Sequence, residues 1–347
     1  MALSMAVCIS ASDPQAIEVA ASALAQGQLL GLPTETVYGL AADAANEQAV
    51  ANIFAAKGRP ANHPLIVHVA PCASTEAWQQ LLGQLCSEVP ASAYKLIDAF
   101  WPGPLTLLLP RRVGVCSAAT GGQDTIGVRC PAHPVAQKVL QAAAVKGVLG
   151  VAAPSANRFG RVSPTTAAHV LSEFEDVRIN QAPLQLVVVD GGACEVGIES
   201  AIVDLSQAQP ALLRPGVLTK AQLEAALGCS LALPNAHSPQ VSGSLASHYA
   251  PSARVLVLAE HALLQACAAG EVLPTDAVYA SQAVVSASGL DTGRCRAMPA
   301  LAADCAHELF AQLRALDHTG VARIWVQAPP ANAAWEGVRD RLQRASA

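Results

Sequence analysis

The chain has 347 residues, of which 52% are hydrophobic and only 14% are charged. This composition can bury a substantial core, and the length exceeds the size at which a single core usually stops growing. Disorder is therefore not expected, and one large domain with a smaller one is the favoured organisation. The net charge of −5 and the 4% of aromatic residues argue against an extended basic RNA-binding surface, so any RNA contact should be local or indirect.

The ten cysteines and the N-terminal segment suggest a reducing compartment. None of the cysteines forms a C-x-x-C pair, which favours small buried hydrophobic residues over zinc ligands or disulfides. Residues 1–12 lack the basic start and long apolar run of a signal peptide, and no apolar run approaches membrane-spanning length. The protein is therefore predicted to be soluble and cytoplasmic.

Hydrophobic periodicity predicts alternating helices and strands over residues 14–227. Short apolar runs predict strands at 29–32, 65–69, 104–109, 125–129, 148–153, 186–189, 201–205 and 211–213. Amphipathic patterns predict helices at 14–26, 47–56, 75–86, 91–100, 135–145 and 219–227. A further helix is predicted to begin at 163–165, with Ser163 as the N-cap. This order indicates the α/β class, and the close spacing of the last two strands predicts a hairpin and a mixed sheet.

Residues 228–252 are rich in Ser, Pro, Gly and Ala and carry few charges, which predicts a linker. Strands at 254–258, 277–280 and 323–326 then alternate with helices at 260–269 and 301–316, which predicts a small Rossmann-like domain. No G-x-G-x-x-G motif accompanies it, so a dinucleotide cofactor is not expected there. The predicted domains are a catalytic domain at 1–228, a linker or lid at 229–253 and a C-terminal domain at 254–347.

Polar and charged side chains follow several of the predicted elements, although no Walker motif and no H-E-x-x-H motif is present. Lys57 and Arg59 lie in an irregular loop that could direct both cations at a polyphosphate, but taken alone these two residues favour a solvated basic loop. Arg129 ends an apolar strand, where it could bind a carboxylate or form a structural ion pair. His68 could be a ligand or a satisfied core histidine.

Hydroxyl side chains at loop and helix ends are further candidates for ligand binding. Each of them could equally cap its own turn or helix. They are Thr34, Ser155, Ser163 and Ser200.

Six short motifs, taken together and in order, carry a resemblance to a known family. They are P-T-E-T-V-Y-G-L at 33–40, K-G-R-P at 57–60, P-S-A-N at 154–157 with S-P-T at 163–165, G-I-E-S-A-I-V-D at 197–204, L-R-P-G at 213–216 and H-Y-A-P at 248–251. The set closely resembles the YrdC-like threonylcarbamoyl-AMP synthase family in its longer, two-domain form. The resemblance covers nearly the whole chain.

The resemblance implies a YrdC-like twisted mixed sheet with helices around a concave site. It implies a nucleotidyltransferase that converts L-threonine, bicarbonate and ATP into threonylcarbamoyl-AMP and pyrophosphate, with Mg²⁺ accompanying the ATP. The product would supply the threonylcarbamoyladenosine modification of tRNA through downstream transfer proteins. Contact with tRNA itself would be indirect or weak, and no membrane would be involved.

The resemblance also implies the residues of the site. The ATP site would comprise Lys57, Arg59, Ala61, Thr125, Ser155, Asn157, Ser163, Arg214 and Tyr249. The L-threonine site would comprise Thr34, His68, Arg129, the main chain of Ala153, and Ser200. Lys57 and Arg59 would stabilise charge during catalysis, with no general base and no protein metal ligand assigned. Tyr249 would reach the ATP from a linker that closes as a lid.

Three residues depart from the family pattern: His63 in place of Asn, Phe159 in place of Ser, and Ser242 in place of Pro. None of them removes a charged site residue. Two other functions are disfavoured, because the sequence lacks the features that they require. A carbamoyl-transferring hydrogenase-maturation factor would carry Cys-rich zinc motifs, and a non-catalytic RNA-binding module would need a basic groove with stacking aromatics.

Overall fold

A computed structural model describes residues 5–235, 238–243, 245 and 247–347. The chain forms two compact units. The first contains Met1–Phe159, Pro164–Glu195 and Glu199–Ser244, and the second contains Gly160–Ser163, Val196–Ile198 and Leu245–Ala347. Two short segments that precede the linker in sequence therefore belong to the C-terminal unit.

The first unit is an α/β structure, as predicted. Its strands are β1 (Met5–Ser10), β2 (Leu29–Leu32), β3 (Gly39–Asp43), β4 (Ile66–His68), β5 (Leu105–Pro110), β6 (Thr125–Arg129), β7 (Val151–Ala152), β8 (Arg178–Ile179), β9 (Ala182–Pro183), β10 (Gln185–Asp190), β11 (Ala201–Asp204) and β12 (Ala211–Arg214). Its α-helices are α1 (Ala16–Ala25), α2 (Glu47–Lys57), α3 (Thr75–Leu85), α4 (Ala91–Phe100), α5 (Pro134–Val145), α6 (Ala167–Phe174) and α7 (Lys220–Leu227).

Ten of these strands form one mixed sheet in the order β1-β10-β2-β3-β7-β4-β6-β5-β11-β12. The pairs β1–β10 and β4–β6 are parallel, whereas β2–β3 and β5–β6 are antiparallel. The predicted hairpin is confirmed, because β11 and β12 pair in antiparallel orientation. The C-terminal ends of β4, β6 and β12 and the N-terminal end of β11 therefore lie at the same edge of the sheet.

Apolar side chains cover both faces of the sheet. One cluster joins Leu24 of α1 and Leu140 of α5 to Leu30 of β2, and all three side chains are buried. A larger cluster includes Ile53 of α2 and Leu96 of α4. Burying these faces removes apolar surface from water, which is the main stabilising term in folding.

The predicted helix start at 163–165 is wrong. Helix α6 begins at Ala167, and the side chain of Thr166 caps it by accepting a hydrogen bond from the main-chain N–H of His169 at 3.2 Å. Pro164 disfavours a helical conformation for the residue before it, and its own carbonyl accepts from the N–H of Tyr38 at 2.9 Å. Ser163 therefore lies outside the helix, three residues ahead of its N-cap.

The second unit contains a parallel sheet in the order β13-β16-β14-β15, which confirms the predicted small Rossmann-like architecture. Its strands are β13 (Arg254–Leu258), β14 (Ala277–Ala280), β15 (Cys295–Ala297) and β16 (Arg323–Gln327). Its α-helices are α8 (Glu260–Ala268), α9 (Gln282–Ser288), α10 (Ala302–Asp317) and α11 (Glu336–Ala345). Arg314 of α10 donates to the main-chain carbonyls of Val162 and Ser163, which explains why residues 160–163 belong to this unit.

The predicted linker at 229–253 includes residues 236, 237, 244 and 246, which lie outside the described residues. Its boundaries stay a prediction. Among the residues that the structure describes, no helix is both long and apolar enough to cross a membrane.

Candidate active site

One face of the mixed sheet carries several of the predicted site residues. His68 and Arg129 are direct partners in the β4–β6 register, so their side chains lie on the same face. Thr125 has the same parity as Arg129 along β6 and shares that face. Arg214 ends β12, opposite Ile202 of β11. The sheet register therefore groups residues that are up to 146 positions apart in sequence, from His68 to Arg214.

Lys57 is the last residue of α2 and is buried. Its Nζ donates to the main-chain carbonyls of Ser155, at 2.6 Å, and Asn157. Burial, with the neighbouring charge of Arg59, holds the pKa of Lys57 well below its usual range. The predicted solvated basic loop is therefore wrong at this position: the ammonium group lies in the interior and is held by the P-S-A-N segment.

Arg59 directly follows Gly58, the residue that caps the C-terminus of α2. Gly58 has a φ of 62°, in the left-handed region, and ends α2 so that the chain turns at Arg59. The side chain of Arg59 is 7% exposed, and its Nη2 donates to the carbonyl of Pro64 at 3.0 Å and to Oγ of Ser242 at 3.3 Å. Lys57 and Arg59 are thus two buried cations, both directed into the fold.

The three departures from the family pattern lie together around Arg59. The rings of His63 and Phe159 meet edge to face with centroids 5.5 Å apart, and the guanidinium carbon of Arg59 lies 6.0 Å from the centroid of Phe159. Burial, with the charge of Arg59, lowers the pKa of His63. The hydroxyl of Ser242 is the third group in contact. The sequence did not reveal that these substitutions share one neighbour.

Arg214 is buried and is held by two serines. Its Nε donates to the carbonyl of Ser200 at 3.0 Å, its Nη2 to Oγ of Ser200 at 3.2 Å, and its Nη1 to the carbonyl of Ser242 at 2.7 Å. Oγ of Ser200 also lies 2.8 Å from Oγ1 of Thr106. Since Ser242 contacts both Arg59 and Arg214, the structure joins these two predicted ATP ligands through one residue of the linker.

Arg129 forms a buried ion pair that the sequence left as one of two alternatives. Its Nη2 lies 2.6 Å from Oε1 of Glu35, and both side chains are almost fully buried. Its Nη1 donates to Oγ1 of Thr36 at 2.9 Å, and its Nε donates to the carbonyl of Gly103 at 3.2 Å. Neither Glu35 nor Thr36 was predicted to be a site residue, although both lie in the motif at 33–40.

The side chain of Thr34 is engaged within its own loop. Its Oγ1 donates to the carbonyl of Val37 at 2.6 Å, accepts from the main-chain N–H of Thr36 and lies 2.9 Å from Oγ1 of Thr36. This turn places Thr36 against Arg129. The hydroxyl of Thr34 thus caps its own turn in this structure, which was the alternative to ligand binding.

His68 is buried and interacts with the main chain, since its Nδ1 lies 3.2 Å from the carbonyl of Ile66. Burial, together with the charge of Arg129, lowers the pKa of His68 to about 3. The imidazole is therefore neutral over the physiological range. The N–H of Ala153 donates to the same carbonyl of Ile66 at 3.0 Å, which places the main chain of Ala153 beside β4.

The remaining predicted ATP ligands of the first unit differ in their hydrogen bonds and in their burial. Oγ1 of Thr125 is buried and has no hydrogen-bond partner among the described residues. Ser155 and Asn157 contribute their carbonyls to Lys57, as above, and Nδ2 of Asn157 donates to the carbonyl of Arg158 at 2.7 Å. Ala61 is exposed in the turn that follows Arg59.

Ser163 and Tyr249 belong to the second unit. Tyr249 has a φ of 61°, which is uncommon for a residue other than glycine, and only 1% of it is exposed. Its ring packs against Phe310 with centroids 5.4 Å apart, and the guanidinium carbon of Arg341 lies 5.5 Å from its centroid. These contacts anchor the end of the linker within the C-terminal unit.

Nothing in the described residues resembles a protein-built metal centre, because no group of three or more His, Cys, Asp or Glu side chains is arranged to hold an ion. The side chains of Lys57 and Arg59 are themselves cationic donors and suit anions. A metal ion here would have to be held mainly by the oxygens of an anionic ligand.

Comparison with known proteins assigns both units. A family model of Sua5, YciO and YrdC proteins, described as telomere recombination, matches residues 22–216. A second model, described as the C-terminal domain of threonylcarbamoyl-AMP synthase, matches residues 218–347.

Individual relatives agree with these family matches. Threonylcarbamoyl-AMP synthase of Pyrococcus abyssi is 37% identical over 336 residues, which is 95% of this chain and 94% of the relative. The Bacillus subtilis protein of the same name is 39% identical over 72% of this chain and 68% of its own length. A crystal structure of P. abyssi Sua5 complexed with L-threonine is similar with a TM-score of 0.83 and 34% identity, covering 98% of this chain and 97% of that one.

Proposed function

Because the chain belongs to the Sua5/YciO/YrdC family, we infer that it is an enzyme that makes threonylcarbamoyl-AMP and pyrophosphate from L-threonine, bicarbonate and ATP. The product is the activated intermediate for threonylcarbamoyladenosine in tRNA. The observation that supports this function best is the burial of Lys57, Arg59, Arg129 and Arg214 in one unit around a single sheet. Buried cations are costly unless an anion or a set of oxygens compensates them, so their grouping is typical of a site for anionic ligands.

The reaction needs an amine, a one-carbon acid and an adenylyl donor. The ammonium group of threonine releases a proton, the resulting amine adds to the carbon of bicarbonate, and water leaves, which gives a carbamate. An oxygen of the carbamate attacks the α-phosphorus of ATP, and the bond from this phosphorus to the bridging oxygen breaks, so that pyrophosphate leaves. This adenylyl transfer makes the enzyme a nucleotidyltransferase.

We assign the phosphates of ATP to Lys57, Arg59 and Arg214. Arg59 and Arg214 meet at Ser242, so a polyphosphate that enters between them could replace its hydroxyl and carbonyl as acceptors. Preorganised cations stabilise negative charge that develops at the phosphorus and on the leaving group, and no general base is needed for this role. Thr125, Ser155, Asn157 and the main chain of Ala61 complete the part of the proposed ATP site that lies in the first unit. The roles of Ser163 and Tyr249 in ATP binding stay predictions from the family resemblance.

We assign the carboxylate of L-threonine to Arg129, because a guanidinium binds a carboxylate with matched geometry. The neutral His68, the main chain of Ala153, and Ser200 would surround the rest of the amino acid. Thr34 would fix the loop that places Thr36 against Arg129. Mg²⁺ would enter with ATP, held mainly by phosphate oxygens, and would neutralise part of their charge. The cytoplasmic location, the downstream transfer proteins and closure of the linker over ATP by Tyr249 stay predictions.

Pyrophosphate release measured with ATP, bicarbonate and one amino acid at a time tests this function. We expect release that requires both L-threonine and bicarbonate and that is much slower with L-valine, whose methyl group replaces the hydroxyl. Arg129→Met provides a matched variant in which the requirement for threonine should rise more than the requirement for ATP. An absence of threonine-dependent release, with tRNA binding intact, would instead support an RNA-binding module.

A further inference from the structure

Glu35 is a buried acid that none of the proposed roles uses. It lies between Thr34 and Thr36 in the loop after β2, and only 4% of it is exposed. One carboxylate oxygen, Oε1, accepts from Nη2 of Arg129 at 2.6 Å. The other oxygen, Oε2, is buried and has no hydrogen-bond donor among the described residues.

A buried carboxylate oxygen without a donor is unfavourable, and most buried polar atoms in folded proteins have a partner. The thiols of Cys130 and Cys194 lie close enough to Glu35 to interact electrostatically, but burial raises the pKa of both, to about 12 for Cys130. Both thiols are therefore neutral at physiological pH. The strong charged partner of Glu35 is Arg129, and it occupies only one of the two oxygens.

Arg129 retains donors for a second partner. A guanidinium carries five N–H groups. The described hydrogen bonds of Arg129 engage three of them, toward Gly103, Thr36 and Glu35. The other two N–H groups are thus available for the carboxylate of an amino acid, which could bind without displacing Glu35.

Within the buried ion pair Arg129–Glu35, two N–H groups of Arg129 and one oxygen of Glu35 therefore have no hydrogen-bond partner among the described residues. An α-amino acid is a zwitterion with the opposite arrangement, because its ammonium group sits on the carbon next to its carboxylate. We propose that Glu35 is a substrate-binding residue, whose Oε2 accepts a hydrogen bond from the α-ammonium group of L-threonine while Arg129 binds the carboxylate. This inference rests on the proposed function and identifies how the same site would select α-amino acids.

The test compares two ligands that differ only in the ammonium group. Calorimetry without ATP measures the binding of L-threonine and of (R)-3-hydroxybutyrate, which keeps the carboxylate and the hydroxyl. A hydrogen bond to a charged group predicts that wild-type protein binds threonine about tenfold to a hundredfold more tightly. Equal affinities in the wild type would overturn the proposal without any variant.

The variant Glu35→Gln tests whether Glu35 causes the preference for threonine over 3-hydroxybutyrate. Its amide oxygen can still accept from Arg129, while its NH₂ group would stand at the position of Oε2 and present donors to the ammonium. The variant should therefore bind threonine about tenfold or more weakly and bind 3-hydroxybutyrate nearly as the wild type does. In turnover, the KM for threonine should rise while kcat at saturation and the KM for ATP change little.

Thr36→Val is the matched control, because it removes the other side-chain contact of Arg129 and leaves both oxygens of Glu35. We expect it to weaken both ligands to a similar extent. If Glu35→Gln also weakened both ligands equally, Glu35 would act only through the orientation of Arg129, and the proposal would be wrong. Wild-type protein that binds threonine yet releases no threonine-dependent pyrophosphate would refute the proposed function and leave the role of Glu35 to the binding data.

Discussion

Lys57 and Arg129 are both buried cations of the same unit, yet the fold treats them in opposite ways. The ammonium of Lys57 is held by main-chain carbonyls, and burial lowers its pKa well below the usual range. The guanidinium of Arg129 is paired with the carboxylate of Glu35 at 2.6 Å. One cation is oriented by neutral oxygens, and the other is neutralised by an acid.

This difference indicates two kinds of ligand. A carbonyl orients a cation but does not cancel its charge, so the region around Lys57 favours an anion with several negative charges. The Arg129–Glu35 pair has no net charge and suits a ligand with no net charge, such as a zwitterionic amino acid. The partners of the two cations thus agree with the proposed division into a phosphate region and an amino-acid region.

The largest expected effect on stability is that of Arg129→Met. It would leave Glu35 buried without its cation, which typically costs about 3–5 kcal/mol in the free energy of unfolding. Urea denaturation would measure this loss, and the double variant Arg129→Met with Glu35→Gln should recover most of it while staying inactive with threonine. If the single variant is as stable as the wild type, the ion pair does not distinguish the two regions.

Lys57→Met should have the opposite combination of effects. Loss of the ammonium would reduce transition-state stabilisation by about 2–4 kcal/mol, measured as kcat/KM for ATP. The free energy of unfolding should stay the same or rise, because a desolvated charge is removed. A near-normal rate at saturating ATP, or a loss of stability as large as that of Arg129→Met, would contradict the comparison.

The free energy of unfolding should depend on pH in the acid range because of His68, which is buried beside Arg129. Its pKa falls from 6.5 to about 3 in the folded protein, so the unfolded chain binds a proton in this pH range and the folded protein does not. The free energy of unfolding should therefore fall as the pH drops through this window, by about 1.4 kcal/mol per pH unit for this one group. His68→Gln should lose that part of the slope, and an unchanged slope would show that His68 does not stay neutral.

Ser242→Ala is expected to have the smallest effect. The variant removes the hydroxyl that accepts from Arg59 and keeps the carbonyl that accepts from Arg214. If phosphate oxygens replace this hydroxyl, the KM for ATP should fall by less than about tenfold, in line with one neutral hydrogen bond, and the KM for threonine should not change. Ser238→Ala is the control, since that hydroxyl contacts only the nearby main chain of Asn235 among the described hydrogen bonds. A higher KM for ATP would mean that Ser242 supports the ATP site.

Some elements were predictable because their signal is local. The apolar run at 125–129 coincides with β6, and the helix predicted at 47–56 coincides with α2 to within one residue. Strand β3 was missed, because Gly39–Asp43 contains no β-branched or aromatic residue. Helix α11 was missed as well: Val338, Leu342 and Ala345 recur at helical spacing, but half of its ten residues are charged.

By itself, the sequence determined the α/β class, the order of most elements and the family, because hydrophobic periodicity, turn residues and short motifs are properties of neighbouring residues. It also placed Lys57, Arg59, Arg129 and Arg214 among the candidate site residues. Only the tertiary structure decided what each cation contacts: Arg129 meets Glu35 from 94 positions away, and Arg59 meets Ser242 from 183 positions away. The physical reason is that an ion pair or a buried hydrogen bond depends on distance in space, which the strand order and register set and which no local pattern encodes.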